Sequence, residues 1–153
     1  MIYKSRDARL VTRRKSADQV VNNSIVLQDD NDLFFSVPAN SVWLFEARLK
    51  CSSATTTPDL NVQFTVPVGG AVECYADIEV GLSTNIRRGV APINGSVAFQ
   101  RDLINAMEVI RFWGQYIGAA AGGTFQLQWC QKVATAEDTK VLTNSTLWAI
   151  RVA

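Results

Sequence analysis

The chain has 153 residues, 48% hydrophobic and 19% charged, and its 15 Lys+Arg against 14 Asp+Glu leave a net charge of +1. That length fits one domain of ordinary size, able to bury a core without disulfide or metal staples. Histidine is absent, which excludes Ser-His-Asp and Cys-His catalysis and His-ligated zinc or haem; the near-neutral charge argues against a whole-surface nucleic-acid binder, and no run approaches the roughly 18 apolar residues of a membrane span.

Residues 1–23 carry six basic side chains (Lys4, Arg6, Arg9, Arg13, Arg14, Lys15) against Asp7 and Asp18, a net of +4 that leaves −3 on the remainder. Their sparse apolar residues do not recur at helical spacing, so the segment reads as an extended basic arm, too polar for a signal peptide and consistent with synthesis in the cytoplasm. From Ser24 to the end, 24–153, the pattern is β: short alternating runs between turn residues. SIVLQ (24–28) is expected as a strand closed by the acidic turn Asp29-Asp30-Asn31-Asp32, then LFFSV (33–37) ending at Pro38-Ala39-Asn40. In VWLFEARLKC (42–51), Phe45, Ala47, Leu49 and Cys51 point one way and Leu44, Glu46, Arg48 and Lys50 the other, as in a strand with one wet face.

LNVQFTV (60–66) has an inner row of Leu60, Val62, Phe64 and Val66, and ends at Pro67 and Gly69-Gly70. AVECYADIEV (71–80) alternates less cleanly, and 81–95 reads as a long loop before a short strand at 96–100. RDLINA (101–106) reads as a turn or one helical turn, MEVIRFWGQYIG (107–118) as a strand, and AAAGG (119–123) as a hairpin tip. TFQLQWCQKV (124–133) sets Phe125, Leu127 and Trp129 against Gln126, Gln128 and Cys130; 135–140 is a turn, and STLWAIRV (145–152) puts Trp148, Ile150 and Val152 on one row. These elements predict an all-β protein: two stacked antiparallel sheets, a β-sandwich in jelly-roll order, with the arm as an N-terminal extension.

Chemistry-bearing motifs are few. Asp29, Asp30 and Asp32 cluster, but in a turn, where Asp is favoured for backbone reasons; DDND lacks the spacing of a calcium loop. The glycine pairs form no phosphate-binding pattern and no G-x-S-x-G elbow occurs. Cys51, Cys74 and Cys130 lie far apart without CxxC and read as reduced structural thiols. No enzyme activity, cofactor or metal is expected. Trp129 and Trp148 share rows with apolar residues and are assigned to the core, whereas Trp43 and Trp113 fall off the cleanest rows and are candidates for a subunit interface. The outer rows carry Gln and Asn rather than Lys and Glu, which adds Gln63, Gln126 and Gln128 as self-association candidates. Arg6, Arg9, Arg13, Arg14 and Lys15 on the arm are candidates for gripping an acidic partner; fully extended, the arm would reach up to about 75 Å.

Two stretches resemble a recurring module of tailed-bacteriophage structural proteins: VVNNSIVLQDDNDLFFSVPANSVWLFEARLKCSSATTTPDLNVQFTVPVGG (20–70) and AAAGGTFQLQWCQKVATAEDTKVLTNSTLWAIRV (119–152). The first resembles an NNS-x-x-LQ, acidic-turn, AN-x-x-aromatic opening followed by a TPDL…VP-G strand; the second resembles a GT-x-x-LQW ending. The middle of the chain, 71–118, and the arm lie outside the pattern. The resemblance is to head decoration (cement) proteins and fibre heads, and implies a β-sandwich that trimerises. Its partners would be the major capsid protein and further copies of itself, with no membrane and no direct nucleic-acid contact. The expected location is the outer capsid surface of the virion, after synthesis in the host cytoplasm. A tail-fibre or receptor-binding head domain recognising a host surface glycan is the alternative, and a cellular carbohydrate-binding module a third.

Overall fold

The structure is a computed structural model that describes the backbone of residues 9–80, 83–93, 96–101 and 107–153, and the side chains of 9–76 and 107–153. Twelve strands are described: β1 (Leu10–Arg14), β2 (Gln19–Val21), β3 (Gln28–Val37), β4 (Val42–Ser53), β5 (Leu60–Thr65), β6 (Ala71–Val80), β7 (Ser83–Ile93), β8 (Ser96–Arg101), β9 (Glu108–Ile117), β10 (Gly123–Cys130), β11 (Thr139–Val141) and β12 (Thr146–Arg151). They form an eight-stranded sheet in the order β1-β12-β4-β9-β6-β7, with β11 also on β4 and β2 on β11, and a four-stranded sheet in the order β3-β10-β5-β8. Every ladder is antiparallel. The protein is therefore an all-β antiparallel sandwich, as the alternation predicted. Four pairings nest inside one another: β1 with β12, β3 with β10, β4 with β9, β5 with β8. The β6–β7 hairpin is inserted between the innermost pair and extends the larger sheet beyond β9.

The sheets are joined by aromatic packing. Phe125 of β10 lies 4.8 Å from Phe45 of β4, 5.0 Å from Phe35 and 5.3 Å from Phe64 between ring centroids, and Phe64 meets Phe112 of β9 at 5.8 Å. The inner rows expected on β4 and β5 are buried as read: Phe45, Ala47, Leu49, Cys51, then Leu60, Val62 and Phe64. Burial raises the thiols of Cys130 and Cys74, the latter to about 12, so both stay protonated and act as small apolar side chains.

Several sequence expectations are corrected. SIVLQ is not a strand until Gln28; the Ser24 N–H donates to the side-chain oxygen of buried Gln131 (3.1 Å) and the Ser24 carbonyl accepts from the backbone N–H of Gln131 (3.2 Å), so one residue, through side chain and backbone, satisfies Ser24 in place of a ladder. The acidic run is not a turn but the start of β3. Most of the expected loop 81–95 is strand β7, at the end of the sheet order, where Pro92 is tolerated because an edge needs no ladder partner on its far side. AAAGG is not a hairpin tip; it carries the chain from β9 in one sheet to β10 in the other. Thr139 and Lys140, expected in a turn, belong to β11. Trp148 is not core: Leu147 and Ala149 point inward opposite Ala47 and Phe45, which turns Trp148 out beside Glu46. Cys130, expected outward, is buried. Of RDLINA, only Arg101 lies within the described residues, at the end of β8.

Candidate functional site

The predicted arm is built into the sandwich over its described part. β1 pairs with β12 from Leu10↔Ile150 to Arg14↔Thr146, and β2 pairs with β11. The reason lies at Lys15, which is fully buried. Its Nζ donates to Asp30 Oδ2 (2.9 Å) and to Gln19 Oε1 (3.0 Å), while Asp30 Oδ1 accepts from the N–H groups of Asp32 and Leu33 (both 3.0 Å). A buried ion pair persists when its remaining hydrogen-bonding capacity is met, and here both partners are supplied. Lys15 is thus removed from the partner-facing set: it is a lock between the arm and β3. The other two carboxylates are also engaged locally, Asp32 by the Ser16 N–H (3.0 Å) and Asp29 by Gln128 Nε2 (2.7 Å).

Arg9, Arg13 and Arg14 remain exposed; Arg6 lies outside the described residues. Arg13 Nε donates to the Phe34 carbonyl of the other sheet (2.9 Å), closing one corner of the sandwich. Trp43 is not at the surface: it is 0% exposed, packed 5.2 Å from Phe35, with Nε1 donating to Ser41 Oγ (3.0 Å). Its row is inward because β4 keeps its period of two back to residue 43. Gln63, Gln126 and Gln128 are half-buried on the outer side of the four-stranded sheet, and Gln63 and Gln128 are direct cross-strand neighbours. Gln126 sits at the irregularity in the β3–β10 ladder, and its Nε2 donates to the Asp30 carbonyl (3.0 Å).

A second surface lies elsewhere, on the outer face of the eight-stranded sheet. Register places Thr12, Trp148, Glu46, Trp113 and Tyr75 in one row across five strands, with Leu10, Ile150, Leu44, Gln115 and Glu73 on one side of it and Arg14, Thr146, Arg48 and Arg111 on the other. Among the described residues, six of the fourteen exposed large hydrophobics belong to this face: Leu10, Leu44, Tyr75, Val109, Ile117 and Trp148. Glu46 at its centre is only 5% exposed. Burial alone would raise its carboxyl, but Arg111 (2.7 Å) and Arg48 (2.7 Å) outweigh that and hold it below the ordinary carboxylate range. The Arg111 guanidinium also lies over the Trp113 ring, 4.9 Å from its centroid, and Trp113 stacks on Tyr75 at 5.8 Å. Of these residues the sequence nominated Trp113 as an interface candidate and Arg14 as a partner-gripping cation. The outward parity of Leu44, Glu46 and Arg48 was legible; what joins them to Tyr75 and Trp148 is strand order, which the sequence does not state.

A scan against family models and a sequence search among curated proteins return no match. Among solved structures, the chain is similar to that of the Gt strain of infectious bursal disease virus (10% identity, TM-score 0.22, covering 95% of this chain and 38% of that one). It is also similar to the VP2 subviral particle of infectious bursal disease virus (9%, 0.24, 95% and 41%). A third likeness is to a bacterial lipoprotein from Bacteroides thetaiotaomicron (8%, 0.26, 99% and 92%). The chain spans well under half the length of the two viral chains, and likenesses at these scores carry neither function nor partner across.

Proposed function

We propose that this chain is a decoration (cement) protein of a tailed-phage capsid, one that binds the outer capsid surface and stabilises the shell by bridging capsomers and neighbouring copies. The observation that carries the reading is the outer face of the eight-stranded sheet. Apolar patches of this kind on a small chain mark surfaces that another protein covers, and Trp, Tyr and Arg are the side chains that dominate such contacts. The face is also rigid: a doubly paired Glu46, a stacked Tyr75–Trp113 pair and a guanidinium over the indole hold it in shape before any partner arrives.

Two further features support the reading. The stretches 20–70 and 119–152 that resemble phage structural modules pair with each other, β10 between β3 and β5, β11 and β12 on β4, so one half of the sandwich carries the resemblance. The nested pairing supports the jelly-roll order expected from the sequence. The half-buried Gln63, Gln126 and Gln128 face is assigned to contacts between copies in a homotrimer. The protein acts by binding rather than catalysis: contacts made only in the assembled shell stabilise that shell by mass action. A glycan-stacking role has less support, because the Trp113 ring is already engaged by Tyr75 and Arg111.

The test is addition of purified protein to shells that lack it, read by sedimentation and shell melting. Saturable binding and a raised shell melting temperature are expected; free protein at every concentration would end the decoration reading.

A further inference from the structure

We infer that the groove between β1 and β12 is the docking site for an extended acidic segment of a partner protein, one that carries large apolar side chains between its carboxylates. The groove is a cavity of about 520 Å³ bordered by Leu10, Thr12, Arg13, Arg14, Thr146 and Trp148. Leu10 is 63% exposed and Trp148 38%, so its walls offer an apolar seat.

Its charge is unbalanced. No carboxylate lines it, and among the described residues neither Arg9 nor Arg14 has one at ion-pair distance; Arg13 spends donors on the carbonyls of Phe34 (2.9 Å) and Thr12 (3.3 Å). The contrast with the centre of the same face is informative. There Arg48 and Arg111 are matched by Glu46 within the chain. At the β1 end, cations stand beside exposed apolar groups with no carboxylate among the described residues that line the groove, the arrangement that an anionic, partly apolar occupant completes.

The shape selects a peptide. β1 ends the strand order of its sheet, and Leu10, Thr12 and Arg14 present every second side chain along it, a repeat of roughly 6.6 Å at 3.3 Å per residue. An extended chain lying beside β1 repeats at the same interval, so acidic and apolar side chains two positions apart, which share its one groove-facing side, meet Arg14 and Leu10, as in strand-addition recognition. The inference rests on the decoration reading only for the partner's identity; the chemistry of the groove stands apart from it.

The experiment uses the whole chain and a fluorescein-labelled dodecapeptide of the repeat Phe-Ser-Glu-Ser, which in extended form puts its apolar and acidic side chains on one face, with a Lys-for-acid counterpart and an oligothymidine strand as competitors, read by anisotropy. Binding of the acidic peptide that weakens with salt is expected. R14E and L10S, both at exposed positions and checked by near-ultraviolet circular dichroism, should each weaken it at least tenfold. Absence of acidic-peptide binding, binding indifferent to both substitutions, or oligothymidine binding as tight as the peptide would overturn the inference, the last in favour of a nucleic-acid site. Shell binding by the same variants separates the two readings. Wild type that binds peptide but no shell removes decoration and keeps the groove; variants that lose peptide yet still saturate shells remove the groove as the docking site and keep decoration.

Discussion

Lys15 and Glu46 solve one problem in two settings. Lys15 is a cation taken wholly out of water, held by Asp30 and Gln19. Removing it by Lys15→Met leaves a buried carboxylate without its counter-ion, and a loss of about 3–5 kcal/mol in urea unfolding is expected. Adding Asp30→Asn should recover most of that, since an amide oxygen still accepts from the Asp32 and Leu33 N–H groups; a double variant no better than the single one would show that the pair is not the lock. Glu46 is held below its ordinary value while its arginines stay open to solvent. A carboxyl depressed in the folded state contributes stability above its unfolded value of about 4.3, lost as pH falls through the folded value. Melting temperature should therefore drop as pH falls below about 4.3, and Glu46→Gln should flatten that limb by the equivalent of under about 1 kcal/mol, the small size reflecting solvent screening of the arginines.

Among the elements, β4 was legible residue by residue and β7 was not, for the same reason. β4 is central, paired with β12 and β11 on one side and β9 on the other, and its inner row must fill the core, so its alternation is unbroken. β7 has a ladder on one side only, and GLSTNIRRGVAPING reads as loop because an edge strand can carry glycine and proline. The acidic run at the start of β3 misled in the opposite direction: Asp30 is polar by composition but inward by position, because Lys15 arrives from the arm to meet it. β9 gives an element-scale prediction. A Cβ on Gly114 would lie 1.9 Å from the Glu73 carbonyl oxygen of β6, so Gly114→Ala must push the β6 backbone away. A loss of about 1–3 kcal/mol is expected in chemical denaturation, with faster hydrogen exchange along β6; unchanged exchange there would contradict the close approach.

At the scale of the whole molecule, the sandwich could be read from periodicity because period-two rows and turn residues are local signals. The face now assigned to function could not, because Trp148, Glu46, Trp113 and Tyr75 come from four strands that only the register brings into line. The arm shows the same limit. Its charge was visible in the sequence, its incorporation as β1 was not, since five residues of edge strand carry no pattern of their own. What emerges is a small sandwich with one polar, glutamine-bearing face and one face where exposed apolar residues stand among arginines; the decoration proposal assigns the first to copies of the chain and the second to the capsid. The most direct measurement is copy number by location: separate the heads and tails of virions of the encoding virus, and quantify this chain against the major capsid protein by mass spectrometry. The account predicts a stoichiometric presence in heads, on the order of one copy per capsomer contact. A handful of copies travelling with tails would contradict it.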